Sequence, residues 1–120
     1  MARILVVDDA GIMRRNLIFI LEQAGHEIVA EAEDGYKAFL AYSTYLPDLV
    51  TMDINMPGGG GVESVQRIIE AFPTAKIVMV TSHDTKRLVL QAIKQGAKHY
   101  VLKPIVREKI LSVIEQILGE

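Results

Sequence analysis

The sequence predicts an α/β fold in which five parallel strands form a single doubly wound sheet with helices on both faces. Two patterns in the 120 residues support this fold class. Short apolar runs that end in Asp or Thr alternate five times with longer stretches of helical period, which is typical of strands joined by crossover helices. Glycine and proline fall at the boundaries between these segments, so the local signals agree with the predicted fold.

Five segments are predicted to be strands because each is short, apolar or β-branched, and bounded by turn residues. They are Arg3–Val7, Glu27–Ala32, Leu49–Asp53, Lys76–Thr81 and His99–Leu102. The first and the fourth are almost continuously apolar, as strands covered on both faces are, and they belong at the centre of the sheet. The second carries Glu27 and Glu31 and therefore suits an edge.

The first two helices are predicted by apolar spacing and by the residues that end them. Apolar residues three and four positions apart predict the first helix, and they are Met13, Leu17, Ile20, Leu21 and Ala24. Gly25 is placed to end this helix in a left-handed conformation. The second helix is predicted from about Gly35 to Thr44, and Pro47 closes the loop that follows it.

The last three helices are predicted in the same way. The third has an apolar face formed by Val62, Val65, Ile69 and Phe72, with Pro73 beyond its end. The fourth runs from about Thr85 to Gln95 and is stopped by Gly96. The fifth follows Pro104, and its inward face is formed by Ile110, Val113, Ile114 and Ile117. Together the segments form five βα units in one domain that spans residues 1–120.

Composition excludes several classes of protein. The absence of cysteine excludes thiol catalysis, zinc-thiolate sites and disulfide frameworks, and it suits the reducing cytoplasm. With 13 Lys+Arg against 15 Asp+Glu, the chain lacks the basic excess that drives direct binding to nucleic acid. The apolar run Ile4–Val7 is too short for a signal peptide or a membrane span. We therefore expect a soluble cytoplasmic protein without membrane insertion.

Acidic residues collect where the predicted strands end. Asp8 and Asp9 follow the first strand, Asp53 ends the third, Thr81 ends the fourth, and Lys103 lies just beyond the fifth. The carboxyl ends of parallel strands share one edge of the sheet, so these side chains should converge there. Three carboxylates repel by about 4 kcal/mol per close pair at ~4 Å and an effective dielectric of ~20, so the cluster requires a cation or a shift in protonation. Oxygen ligands without Cys or a nearby His favour Mg²⁺ or Mn²⁺.

Lys103 is predicted to serve the same site. Its ammonium group can pair with Asp53 at rest and with a phosphoryl oxygen during a reaction. A cis Lys103-Pro104 bond would direct this group into the site, and spacing alone leaves the isomer open.

The ordered motifs of the chain resemble the signature of response-regulator receiver domains over nearly its whole length. They are Asp8-Asp9, Asp53-Ile54-Asn55-Met56-Pro57, Thr81-Ser82, Gly96-Ala97 before Tyr100, and Lys103-Pro104. The segment from Asp8 to Arg14 is similar to stand-alone chemotaxis regulators of the CheY type. The resemblance implies a flavodoxin-like (βα)5 fold with strand order 2-1-3-4-5.

The resemblance also implies a phosphorylation site. Asp53 would be the nucleophile that takes a phosphoryl group from a sensor histidine kinase or a small phosphodonor. Asp9 and Asp53 would bind Mg²⁺ directly, Asp8 would act through water, and the backbone carbonyl of Asn55 would complete the protein ligands. Lys103 would hold one phosphoryl oxygen. Beyond its own phosphorylation and dephosphorylation, the protein would not be an enzyme.

The remaining implied roles concern switching and its rate. Thr81 would donate its hydroxyl to a phosphoryl oxygen, and Tyr100 would change rotamer as Thr81 moves. Asn55 and His83 would flank the path of the attacking water and influence the rate of dephosphorylation. The face formed by helix four, strand five and helix five would bind a downstream protein, such as the flagellar motor switch or a phosphatase. The run Gly58-Gly59-Gly60-Gly61 departs from the family, in which side chains normally occupy some of these positions.

Other functions remain open from the residues alone. A Mg²⁺-dependent phosphohydrolase of the haloacid dehalogenase type also uses an Asp nucleophile, but it requires Asp-x-Asp where this chain has Asp8-Asp9-Ala10. A flavodoxin would need a hydroxyl- and glycine-rich phosphate loop after the first strand. A receiver-like scaffold that is not phosphorylated would not need the acidic residues and Lys103. Because the sequence ends at Glu120 after the fifth helix, the chain is either a single-domain regulator or a receiver domain from a longer one with a DNA-binding or enzymatic output domain.

Overall fold

The computed structural model describes residues 1–56, 60–82 and 86–120. Its strands are β1 (Arg3–Val7), β2 (Glu27–Ala32), β3 (Leu49–Asp53), β4 (Ile77–Thr81) and β5 (His99–Leu102). Its helices are α1 (Gly11–Gln23), α2 (Gly35–Tyr45), α3 (Gly60–Ala71), α4 (Lys86–Lys94) and α5 (Arg107–Leu118). Among the described residues, no helix combines the length and the apolar character needed to cross a membrane.

The strands form one parallel sheet in the order β2-β1-β3-β4-β5, which confirms the predicted topology. In this order β1 and β3 are neighbours, with Ile4 opposite Leu49, so the residues that follow them lie side by side. The edge position of β2 is also as predicted, and its Glu27 and Glu31 are exposed.

Two apolar layers, one on each face of the sheet, form the core. Alternate residues of β1 belong to different layers: Leu5 packs on the side of α2, α3 and α4, and Ile4 packs on the side of α1 and α5. Both are fully buried. The central strands are therefore covered on both faces, and the sheet is doubly wound as predicted.

The boundaries of several elements differ from the prediction by one residue. α1 ends at Gln23, before Ala24, and α4 ends at Lys94, before Gln95. β4 begins at Ile77, one residue later than predicted, and the Lys76 ammonium group instead donates to the carbonyl of Ile117 at 3.2 Å. α2 continues one residue past Thr44 and is followed by Leu46 in a left-handed conformation with φ of 46°. Gly25 and Gly96, which were predicted to end α1 and α4, follow these helices with φ of 93° and 119°.

The buried face of α3 is rotated relative to the prediction. Ile68 is fully buried, whereas Ile69 and Phe72, which were predicted to face inward, are only partly buried against the core. The reason is that α3 rests on the sheet through Gly61, while Ser64 packs against Gly35 of α2, and these two contacts shift the buried face by one position. For α4, the predicted start at Thr85 lies outside the described residues.

Candidate functional site

Three carboxylates meet at the carboxyl edge of the sheet. Asp8 and Asp9 follow β1, Asp53 ends the neighbouring β3, and one oxygen from each lies within 4.8 Å of the others. Asp8 and Asp53 are buried, whereas Asp9 is exposed. The sequence prediction that these residues converge is therefore confirmed.

Lys103 supplies the cation closest to these carboxylates. Its Nζ lies 3.2 Å from Oδ2 of Asp8 and 3.4 Å from Oδ1 of Asp53. The Lys103–Pro104 peptide bond, left open by the sequence, is cis, and the Lys103 N–H donates to the carbonyl of Thr81 at 2.6 Å. Pairing with Asp53 was predicted, and the structure adds Asp8 as the nearer partner.

The site holds more negative charge than its lysine balances. Burial, followed by the charge of Asp8, raises the pKa of Asp53 to about 6, although Lys103 and the Asn55 N–H oppose that rise. Burial lowers the pKa of Lys103, but the charges of Asp53 and Asp8 more than compensate, so its pKa is raised. Above pH 7 Asp53 is therefore mainly a carboxylate, held close to the ammonium group of Lys103.

This donor set fits a hard divalent cation. The three grouped ligand atoms are all carboxylate oxygens, which is the donor type that Mg²⁺ prefers. The raised pKa of Asp53 shows that positive charge beyond that of Lys103 would stabilise the carboxylate form. Asn55 lies beside the group, and its N–H donates to Oδ1 of Asp53 at 3.3 Å.

Thr81 and Tyr100 occupy different positions relative to the acidic cluster. Thr81 is fully buried at the end of β4, next to Leu102 in the β5 register, and its Oγ1 donates to the carbonyl of Ser82 at 3.4 Å. Tyr100 is 42% exposed and lines a groove of about 260 Å³ between α4 and β5. Ser82 lines the same groove and thus lies between the two. His83, a predicted rate-modulating residue, lies outside the described residues, as do Gly58 and Gly59.

Gly61 has a steric role that its sequence context only suggested. A Cβ built on this residue would lie 2.4 Å from the carbonyl oxygen of Asp53 and 2.7 Å from Cα of Ile54. Its N–H donates to the carbonyl of Ile54 at 3.0 Å. The first turn of α3 therefore sits directly on the backbone that carries Asp53, and no other residue type fits there. The glycine run predicted an unusual loop, not this contact.

Arg14 is a second residue that the sequence analysis did not single out. Its Nη1 donates to the carbonyl of Asp8 at 2.6 Å, and its Nε pairs with Oε1 of Glu31 at 2.9 Å. A sequence signal was available: Arg14 precedes the buried Leu17 by three positions and Leu21 by seven, so it falls on the inward face of α1. A charged residue at such a position needs a partner inside the fold.

Comparisons with known proteins agree with this geometry. The response regulator receiver domain family matches residues 4–115. The chain is 42% identical to Protein CcdB of Bacillus subtilis (strain 168) over 99% of each chain. It is 40% identical to chemotaxis protein CheY of the same strain over 98% of each chain. A solved structure, the CheX-CheY-BeF3-Mg+2 complex from Borrelia burgdorferi, matches with a TM-score of 0.93 and 29% identity over 98% of this chain and 90% of that one.

Proposed function

The chain belongs to the response regulator receiver domain family, and we propose that it is a phosphorylated switch whose phosphoacceptor is Asp53. The observation that carries this proposal is the convergence of Asp8, Asp9 and Asp53 within 4.8 Å, with Lys103 paired to two of them. Membership of the family implies a histidine kinase as phosphodonor. Residues 1–120 form the receiver domain in this proposal.

The proposed reaction is nucleophilic attack by Asp53. One carboxylate oxygen attacks the phosphorus of a phosphohistidine, the P–N bond breaks, and its electron pair returns to the imidazole nitrogen of the kinase. Because the pKa of Asp53 is about 6, its carboxylate form predominates at pH 7 and above. Lys103, which lies 3.4 Å from Asp53, can then hold a phosphoryl oxygen, and the Thr81 hydroxyl can donate to another.

The acidic residues would hold a Mg²⁺ ion, with Mn²⁺ as a substitute. In the proposal Asp9 and Asp53 bind it directly, Asp8 binds through water, and Asn55 contributes its backbone carbonyl. When bound, the ion supplies the positive charge that offsets repulsion between the anionic nucleophile and the anionic donor. Asn55 and His83 are proposed to influence the approach of water during dephosphorylation.

The phosphoacceptor can be tested with acetyl phosphate. The wild-type protein should gain one phosphoryl group in the presence of Mg²⁺, as measured by intact-protein mass spectrometry, and Asp53→Asn should gain none. Asp48→Asn is the matched control, because Asp48 is exposed at the opposite edge of the sheet. Full labelling of Asp53→Asn would exclude Asp53 as the phosphoacceptor.

The metal can be tested independently of the nucleophile. EDTA should prevent labelling of the wild-type protein, and Asp9→Ala should weaken Mg²⁺ binding in calorimetric titrations. The exposed Asp9 is suited to this test because its side chain is not part of the core. Labelling that continues at the same rate under chelation would remove the metal from the proposal.

We infer that the signal leaves through the face formed by α4, β5 and α5. Leu90, Ile93 and Tyr100 are 54%, 40% and 42% exposed there, and all three line the groove between α4 and β5. Ser82 joins this groove to Thr81, so a phosphoryl group that contacts the Thr81 hydroxyl would act next to the groove. A phosphoryl group that contacts one conformation of the protein better than another shifts the equilibrium between them.

This output surface has a spectroscopic test. Beryllofluoride with Mg²⁺ should shift amide resonances along β5 and α5, and Thr81→Ala should reduce those shifts while the protein still takes up a phosphoryl group. Leu40→Ala is a suitable control, since Leu40 is exposed on α2, away from the groove. Shifts confined to residues beside Asp53 would contradict this assignment.

We propose chemotaxis as the pathway and the cytoplasm as the location. The support is the likeness to chemotaxis CheY proteins, including the 40% identity to that of Bacillus subtilis over 98% of each chain. The downstream partner would be a flagellar motor switch protein or a phosphatase, and not nucleic acid. Binding of the beryllofluoride-activated protein to such a component, with no binding by Asp53→Asn, is the expected result. Specific binding to an output domain of a longer regulator instead would contradict it.

A further inference from the structure

Arg14 connects three elements around the acidic cluster. Its guanidinium group extends from the first turns of α1, and its side chain is 18% exposed. Nη1 donates to the backbone carbonyl of Asp8 at 2.6 Å, and Nε donates to Glu31 on β2 at 2.9 Å. Hydrogen bonds from a guanidinium group are charge-assisted and directional, so they fix both acceptors relative to α1.

The backbone of Asp8 is held from both sides. Its N–H donates to the carbonyl of Ala32 at 3.1 Å, which continues the β1–β2 pairing by one residue. Its carbonyl, which has left the sheet, is bound by Arg14. Oδ1 of Asp8 accepts from the N–H of Ala10 at 2.9 Å, so the turn that carries Asp9 is attached to the same residue.

Arg14 and Lys103 place positive charge beside the cluster in different ways. Lys103 contacts carboxylate oxygens of Asp8 and Asp53, so it occupies atoms that a metal ion would use. Arg14 contacts the carbonyl of Asp8 and neither of its carboxylate oxygens. Arg14 therefore orders the acidic turn without competing for its ligand atoms.

We propose that Arg14 is a positioning residue that anchors the Asp8–Asp9 turn to β2 through Glu31 and so preorganises the acidic cluster for a divalent cation. This inference rests on the proposed function only in taking that cation as the ligand. Residues that orient metal ligands from outside the coordination sphere typically alter metal affinity by ~10–100-fold.

The direction of the change in Mg²⁺ affinity distinguishes a positioning role of Arg14 from a simple effect of its charge. If Arg14 acted only as a nearby positive charge, its removal would strengthen Mg²⁺ binding by relieving repulsion. If it positions the turn, its removal weakens binding despite that relief. Arg15 provides the control, because it follows Arg14 on α1, carries the same charge and is exposed.

The experiment measures the Mg²⁺ dissociation constant by calorimetry for the wild-type protein, Arg14→Met, Arg14→Lys and Arg15→Met. We expect Arg14→Met to raise the constant about tenfold, Arg14→Lys to raise it less, and Arg15→Met to leave it within about twofold. In metal-free protein, Arg14→Met should also speed hydrogen exchange at the Ala10 amide, which is bonded to Asp8. Glu31→Gln should change the constant in the same direction as Arg14→Met, by a smaller factor.

Three results would overturn the inference: tighter Mg²⁺ binding by Arg14→Met, unaltered Mg²⁺ binding and Ala10 exchange in that variant, or equal changes for Arg14→Met and Arg15→Met. These readouts need no phosphorylation. If Asp53→Asn were still labelled while Arg14→Met bound Mg²⁺ weakly, the phosphoacceptor assignment would fail and the positioning role would stand. Conversely, the wild-type protein could be labelled and Asp53→Asn not, while Arg14→Met kept the wild-type Mg²⁺ affinity and Ala10 exchange rate. The phosphoacceptor assignment would then stand and the positioning role would fail.

Discussion

Polar groups are arranged in opposite ways at the amino edge of the sheet, where its strands begin, and at the carboxyl edge, where they end. At the amino edge, the Arg3 guanidinium group donates to the carbonyls of Tyr45 and Leu46 at 2.8 and 3.0 Å, which satisfies the end of α2. The Arg3 N–H donates to Asp48 at 2.8 Å, and the Asp48 N–H returns a bond to the Arg3 carbonyl at 2.8 Å. Each of these hydrogen-bond donors therefore has an acceptor, and each acceptor has a donor.

Other contacts at the amino edge follow the same rule. Lys76 donates to the carbonyl of Ile117 near the end of α5, and the Ala2 N–H donates to Nδ1 of His26 at 3.0 Å. These contacts connect helix ends and strand starts that are far apart in sequence. The amino edge therefore contributes to stability.

The carboxyl edge instead gathers like charges. Lys103 pairs with Asp8 and Asp53, and Asp9 lies in the same group of carboxylates. The raised pKa of Asp53 indicates that its charge is unfavourable there. Functional sites commonly hold such arrangements at the expense of stability. The comparison teaches that removal of a charge should have opposite effects at the two edges.

The largest expected effect is stabilisation by Asp53→Asn. In EDTA at pH 7.5, this variant should gain about 2–3 kcal/mol in the free energy of unfolding, because a pKa raised from 3.8 to about 6 means that the buried carboxylate opposes folding. Urea denaturation of both proteins measures the difference. A loss of stability in the variant would show that neighbouring groups compensate the charge of Asp53, and it would contradict the contrast between the two edges.

The same difference should depend on pH. The folded state keeps the Asp53 proton up to about pH 6, whereas the unfolded state releases it near 3.8. The stability that this group contributes is therefore complete below about pH 4 and is lost as pH rises through 6. The advantage of Asp53→Asn should accordingly shrink between pH 7 and pH 4. An advantage that stays constant over this range would point to packing and not to charge.

A smaller effect of opposite sign is expected at the amino edge. Arg3→Met keeps the apolar part of the side chain but removes both bonds to the end of α2, and it should lower the free energy of unfolding by about 1 kcal/mol. Phosphorylation by acetyl phosphate should be unaffected. Lys98→Met is the control, because it removes the same charge from an exposed residue just before β5. An equal loss of stability in Lys98→Met would mean that the Arg3 effect comes from net charge.

The amount that the sequence predicted differs between the two edges as well. The strand ends that carry Asp8, Asp53 and Lys103 follow from local periodicity and parallel topology, so the acidic cluster could be predicted. The left-handed Leu46 could not, because the Arg3 side chain that binds its carbonyl lies more than forty residues away in the chain. The close approach of Gly61 to Asp53 likewise depends on how α3 docks on the sheet.

Similar reasoning applies to Arg14 and to the face of α3. Apolar spacing indicates which side of a helix turns inward, but it does not say which polar group a buried arginine meets there. For α3, the small residues Gly61 and Ser64 allow close approach to the sheet and to α2, respectively, and Ile68 is buried in addition to Val65. Periodicity that counts only large apolar residues misses such contacts.

The smallest expected effect concerns His26, which should respond to pH in the direction opposite to Asp53. Burial lowers the pKa of His26, the N-terminal ammonium group lowers it further, and Glu115 opposes this. The Ala2 N–H can donate to Nδ1 only while that nitrogen is unprotonated. The stability from this contact is therefore present above about 6.5, the ordinary pKa of the group, and is lost as pH falls through the lowered value.

Two substitutions at His26 distinguish the contact from its charge. His26→Ala removes the acceptor and should lower the free energy of unfolding at pH 7.5 by about 0.5 kcal/mol, whereas His26→Gln keeps an acceptor and should lower it less. Both variants lack the titrating group, so the wild-type protein should lose more stability than either between pH 7.5 and pH 5.5. Urea denaturation at the two pH values measures this, with Asp53→Asn as the background that removes the opposing trend. Parallel curves for the wild-type protein and His26→Gln would mean that the Ala2 contact does not depend on protonation, and that the amino edge is insensitive to pH.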